Sequence, residues 1–268
     1  MTGCGNQSAR APNPTAFEWP RQFAYRIDYV SEAQKDLKPL ARFSSTRTLH
    51  LTLRDAQYVV ESDSIIKTSQ LVGHEPTVGD YVPEDTLAFY ARIGKHGEIS
   101  GVSLACDPAV PACGEALPST IMIEMRSVIP RLSEWEAPKG GTWIDTLPFD
   151  DASRSRGVRG TVITTYTGRG DTIIGGRNYW LISWSALRQA YRRDAGASPT
   201  LGAETPIQQT GITLVDKRAL LPVLSTWAGA ITAPPAMKAM GATGAGFRGR
   251  AYLTGSPFDS LYNGPVHP

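Results

Sequence analysis

The stretch from Gly157 to Arg193, GVRGTVITTYTGRGDTIIGGRNYWLISWSALRQAYRR, constrains the fold more than any other part of the chain. Thr161, Ile163 and Thr165 alternate with Val162, Thr164 and Tyr166, and Thr, Ile, Val, Tyr and Trp dominate. β-Branched and aromatic side chains fit a pleated, half-buried surface, so this is strand chemistry. Gly168-Arg169-Gly170-Asp171 breaks the first run, and a second begins at Thr172. Gly175-Gly176 interrupts that one as a turn or bulge, and Tyr179 to Trp184 resumes it. Two or three antiparallel strands joined by tight turns are expected.

The same alternation recurs elsewhere. Phe23, Tyr25, Ile27 and Tyr29 alternate with Ala24, Arg26 and Asp28, and Leu49, Leu51 and Leu53 with Thr48, His50, Thr52 and Arg54. Tyr58 to Ile66, Ile207 to Val215, Leu220 to Leu224 and Arg250 to Thr254 read as further strands. Thr86 to Ile93 and Glu98 to Leu104 read as a hairpin closed by Gly94-Lys95-His96-Gly97. The 26 Gly and 20 Pro in 268 residues supply the turns such a sheet needs. Residues 31–42 are polar and read as a helical turn stopped by Pro39, 73–86 as a loop, 134–152 as an irregular link and 233–249 as a small-residue flexible segment. One segment changes period: Ile121, Met122, Met125, Val128, Ile129 and Leu132 fall at helical spacing behind Ser119 or Thr120 as N-cap. The expected fold is mainly β. It has an antiparallel sheet (sandwich or half-barrel) over residues 21–254, crossed by one amphipathic helix at about 119–132. A flexible tether, 1–20, and an extended tail, 255–268, flank it.

Lys and Arg number 27 against 25 Asp and Glu, a net charge of +2 that is too balanced to point to nucleic acid. The chain as given contains no run of about 18 apolar residues. His50, His74, His96 and His267 lack metal-like spacing, and no G-x-S-x-G elbow, P-loop or strand-linked G-x-G-x-x-G occurs. Arg169-Gly170-Asp171 spells an adhesion tripeptide, but Gly and Asp are expected at the hairpin turn predicted there. Arg154, Arg156, Arg159, Arg169 and Arg177 give the hairpin a basic outer edge. No catalytic residue, metal site, cofactor or small-molecule substrate is expected, and the chain reads as a non-enzyme.

Three cysteines remain. Cys106 and Cys113 bracket CDPAVPAC, where Pro108 and Pro111 stiffen the loop and bring the thiols together at low entropic cost. A disulfide follows in an oxidising compartment, and two reduced thiols otherwise. Met1-Thr2-Gly3-Cys4 resembles the lipobox of bacterial lipoproteins, and GNQSARAPNP resembles the tether that follows it. That resemblance implies a lipidated Cys4 and a periplasmic, membrane-anchored protein; the alternative is an ordinary N-terminal thiol in a cytosolic one. The strand phrases, the start and the tail also resemble the β-rich extra subunits of bacterial photosynthetic reaction-centre and light-harvesting complexes. This implies an accessory or scaffolding subunit that binds other subunits without pigment ligands of its own. Phe17, Trp19, Phe258, Leu261 and Tyr262 are the expected partner-binding residues, since near-polar termini have no other need of them. A second plan fits one helix across a curved sheet: a periplasmic lipid or lipoprotein carrier with an apolar cavity lined by Ile121, Met125, Val128 and Leu132. An unrecognised hydrolase is the third.

One intact-mass measurement on native protein tests both cysteine expectations. The mass should include a diacylglyceryl group and an N-acyl chain at Cys4, and should fall by two hydrogens for the Cys106–Cys113 bond. An unmodified Met1 terminus, or two thiols free to alkylate without reductant, would contradict the respective expectation.

Overall fold

The computed structural model describes residues 15–36, 38–62, 65–75, 77–81, 88–105, 118–133, 139–151, 158–193, 201–203, 206–232, 238–239 and 241–261. Cys4, Cys106, Cys113 and Tyr262 lie outside the described residues. The chain begins with β1 (Gln22–Lys35), β2 (Lys38–Arg54), β3 (Gln57–Ser62), β4 (Ile65–Leu71), β5 (Thr77–Tyr81), β6 (Phe89–Ile93) and β7 (Ile99–Leu104). Helix α1 (Pro118–Val128) precedes β8 (Thr142–Asp150), β9 (Val158–Ile174), β10 (Arg177–Arg193), β11 (Leu201–Ala203), β12 (Ile207–Asp216), β13 (Leu221–Thr232) and β14 (Gly244–Leu253). A short α2 (Pro257–Leu261) follows.

These strands make one antiparallel sheet in the order β7-β6-β3-β2-β1-β14-β13-β12-β10-β9-β8, with β4 and β5 branching from β2 and β11 from β10. It is a single sheet, not the two facing layers of a sandwich, and its margins β7 and β8 do not pair to close a barrel. It nevertheless curls. Phe89 and Ile99 near one margin share a buried cluster with Leu147 and Phe149 on the other, and with Met125 and Val128 of α1 between them.

The curl has a visible cause in side-chain size. Four aromatic residues stand directly opposite glycines on the core face: Phe149 opposite Gly160, Trp184 opposite Gly211, Trp227 opposite Gly249 and Phe247 opposite Gly229. In each pair the ring lies where the missing Cβ would stand. Large rings therefore lie down on the sheet, and the core face narrows without a clash.

Helix α1 fills that face. Ile121, Met122, Met125 and Val128 are buried, as their spacing predicts. The Ser119 amide donates to Asp151 Oδ2 at 2.9 Å, so the cap is a carboxylate from beyond β8 at the positive end of the helix. At the other end Ser225 Oγ donates to the carbonyl of Ser127 at 2.7 Å. Ser225 in turn meets Thr213 Oγ1 at 3.0 Å, which accepts from Trp184 Nε1 at 3.2 Å. This buried relay satisfies a last-turn carbonyl that the helix cannot. Glu124 pairs with Arg47 of β2.

Several segments differ from expectation. The polar 31–42 segment is no helical turn; β1 and β2 pair through it to Lys35 and Lys38, with Asp36 at a left-handed φ of 51° in the turn. Residues 142–150 are a strand, 77–81 another, and 244–253 a strand begun well before Arg250. Gly168–Gly170 is a bulge inside β9, and the turn lies at Gly175 and Gly176, whose φ values of 56° and 76° suit a two-residue hairpin turn. The tail expected to be extended starts as α2.

Gly211 offers a direct test of the packing. A Cβ there would stand 2.5 Å from the Thr226 carbonyl oxygen and inside the Trp184 ring, whereas one at Gly246 meets only an atom at 3.9 Å. Gly211→Ala should cost about 1–3 kcal/mol in urea unfolding, and Gly246→Ala little. Equal midpoints for the two variants would contradict the arrangement.

Candidate docking trough on the outer face of the sheet

The face turned away from α1 carries the candidate site. Two rows of side chains cross it. Thr226 stands opposite Ile212, Ile212 opposite Ser183 and Ser183 opposite Thr167; beside them run Ala228, Thr210, Ser185 and Thr165. Every residue of both rows is small or uncharged. The space above them is a shallow trough of about 620 Å³. It meets a second depression of about 220 Å³ at Ala228, lined by Val30, Glu32, Gly246 and Arg248.

Charge sits only at the ends. Arg169, the extra residue of the β9 bulge, lines the trough at the β9 end and donates from Nε to Ser183 Oγ at 2.6 Å. Arg248 of β14 stands exposed at the far end and has no ion pair among the described residues. Glu32 is the single carboxylate of the two linings, 4.0 Å from Arg42. Four strand spacings of about 4.8 Å separate β9 from β14, and Arg169 lies some three to four residues further along the strands than the row of Arg248, so the two arginine positions are roughly 22 Å apart. Among the described lining residues there is no imidazole, and Glu32 is the one carboxylate.

Other polar groups are absorbed by the fold. Arg250 donates to Asp28 Oδ2 at 2.7 Å and Thr46 to Asp28 Oδ1 at 2.8 Å. Tyr166 is buried beneath α1, and burial pushes its phenol up against the smaller pull of Arg126. Burial also pushes the Glu98 carboxyl up, yet the amides of Glu98 and His96 and the Arg131 guanidinium outweigh it and hold that group low. Asp171 holds Lys217 at 3.0 Å, so the adhesion-like tripeptide lies in a bulge with its carboxylate paired, not on a turn. Among the described residues no three of His, Cys, Asp and Glu gather as metal ligands, and no helix is long and apolar enough to cross a membrane.

Phe17, Trp19 and Phe258, three of the residues expected to meet a partner, pack within the chain. Phe17 is buried; its amide donates to the Lys95 carbonyl at 2.5 Å and its ring lies 4.6 Å from Trp19. Trp19 stacks on Phe23 at 5.7 Å and donates from Nε1 to the Gly94 carbonyl at 2.9 Å. Phe258 is buried edge-on against Tyr179 at 5.4 Å. Phe17 and Trp19 pack onto the main core beside α1, whereas Phe258 joins a second buried cluster with Tyr179, Leu214 and Tyr252 on the other face of the sheet. Leu261 ends α2. The trough itself escaped the sequence, though its signal is there: Thr165 and Thr167, Ser183 and Ser185, Thr210 and Ile212 all keep charge off the outward positions.

No protein-family model matches the chain, and no curated protein matches it. Among solved structures, one described as "lipid-protein interactions in lipovitellin" aligns over 88% of this chain and 25% of its own, at 8% identity and a TM-score of 0.47. The chain spans a quarter of that protein's length. A likeness of that depth does not set function.

Proposed function

We propose that this chain is a non-catalytic accessory subunit that docks an extended, acidic segment of a partner protein in the outer trough. The observation that carries this is the placement of Arg169 and Arg248, two exposed guanidinium groups at either end of an uncharged, hydroxyl-bearing floor. An extended peptide rises about 3.3 Å per residue, so roughly seven residues span the distance between them. Carboxylates at both ends of such a segment meet both arginines, and the Thr and Ser hydroxyls serve its polar groups. With Cys4 lipidated, the partner is a neighbouring subunit on the periplasmic side of a bacterial membrane complex.

A second reading keeps one observation in its favour. The sheet curls about an amphipathic helix whose apolar side chains Ile121, Met125 and Val128 face it, which is the plan of a lipid carrier. It requires α1 to leave its place.

Fluorescence polarisation with a labelled heptapeptide, Asp-Thr-Val-Thr-Val-Thr-Asp, tests the docking function. Binding should be salt-sensitive and weaken about tenfold for each of Arg169→Glu and Arg248→Glu, about 1.4 kcal/mol apiece. Equal binding by a peptide with Asn at both ends, or by the doubly substituted protein, would overturn it.

A further inference from the structure

The β9–β10 hairpin outruns its neighbours. β12 accompanies β10 no further than Tyr179, and β8 accompanies β9 no further than Thr167. Beyond them Ile173 to Asn178 are all exposed, Ile173 by 69% and Ile174 by 38%. Gly175 and Gly176 form the turn between Ile174 and Arg177. Two adjacent isoleucines on a glycine turn contribute nothing to the core and cost solubility, so their exposure asks for a medium that takes them.

The collar behind the tip is basic. Arg177 and Arg218 are exposed, and exposed Lys139 lies along Gly170. Of the acids near them, Asp171 is paired with Lys217, and Asp216 is buried and accepts from the amides of Arg218 and Ala219 at 2.8 and 2.9 Å. Glu18 and Asp55 are exposed acids of this end, and the Glu18 amide donates to the Leu220 carbonyl at 3.2 Å. That bond places the N-terminal segment against the β12–β13 turn, whose Lys217 amide donates to Asn178 of the hairpin. Thr15, bonded to His96 in the β6–β7 turn, lies at this same end of the sheet. Cys4 is eleven residues before Thr15, a reach of up to about 36 Å.

We propose that this tip is a membrane-contact element: Ile173 and Ile174 enter the acyl boundary of an anionic bilayer while Arg177, Arg218 and Lys139 meet lipid phosphates. Apolar tips with a cationic collar bind where headgroups and chains meet, and short insertion combines with a lipid chain to give stable anchoring. The site is separate from the trough and stands without it.

The test uses the full-length chain made without lipid, and co-sedimentation with vesicles of phosphatidylcholine alone or mixed with phosphatidylglycerol. Wild type should sediment with the mixed vesicles, and the Ile173→Ser/Ile174→Ser variant should lose at least about tenfold in partition. Arg177→Glu/Arg218→Glu should lose the preference for the anionic lipid. An Ile173→Trp variant should show quenching by brominated lipid beyond that of the parent. Equal partition of the parent and the double-serine variant, or no binding of the parent to mixed vesicles, would overturn the proposal and leave the isoleucines to a protein partner.

Discussion

Arg126 holds the two margins of an open sheet to one helix. Its guanidinium is buried, with the side chain only 4% exposed. It donates to the carbonyls of Gly97 at 2.9 Å and Ile129 at 3.2 Å, and Nε stands 3.3 Å from Asp145. Gly97 belongs to the β6–β7 turn at one margin, and Asp145 to β8 at the other. A buried charge is tolerated only when paired, so the desolvation cost of Arg126 is offset solely in the geometry that brings both margins to α1. The group contributes specificity more than net stability: it penalises a flatter sheet.

The other devices depend on that closure. Rings lying over glycines let the core face narrow, and the relay from Trp184 to the Ser127 carbonyl fixes the helix end against the narrowed sheet. Phe17 and Trp19 then pack against this core, and Phe258 covers Tyr179 and Tyr252 on the opposite face. α1 packs on the inner face, and the two proposed contact sites lie on the outer face and at the hairpin tip. The two faces differ because side chains alternate: Trp180, Ile182 and Trp184 of β10 face inwards, and Ser183 and Ser185 face the trough.

How much of this was legible follows from period and neighbours. The strands around Gly157–Arg193 and the helix at 118–128 were readable because each repeats its own period over several turns or pairs. β8 was hidden by Pro148 and Gly140-Gly141, which look like breakers; Pro148 is harmless because β8 is a margin strand with one unpaired side. The β1–β2 hairpin was hidden by polar residues, since Glu32 and Arg42 sit opposite each other on the outer face. The trough could not be read at all. Arg169 and Arg248 are far apart in sequence, and only the strand order puts β9 four strands from β14.

Whether α1 is a fixed keystone or a movable lid decides between a docking subunit and a carrier. Hydrogen exchange measured by mass spectrometry on the native protein reads this directly. With Arg126 clamping both margins, the amides of α1 should exchange within about tenfold of those in the core of β10, opening only with the whole sheet. Amides of α1 exchanging orders of magnitude faster while β1, β10 and β12 stay protected would show a helix that swings free, and would contradict the account.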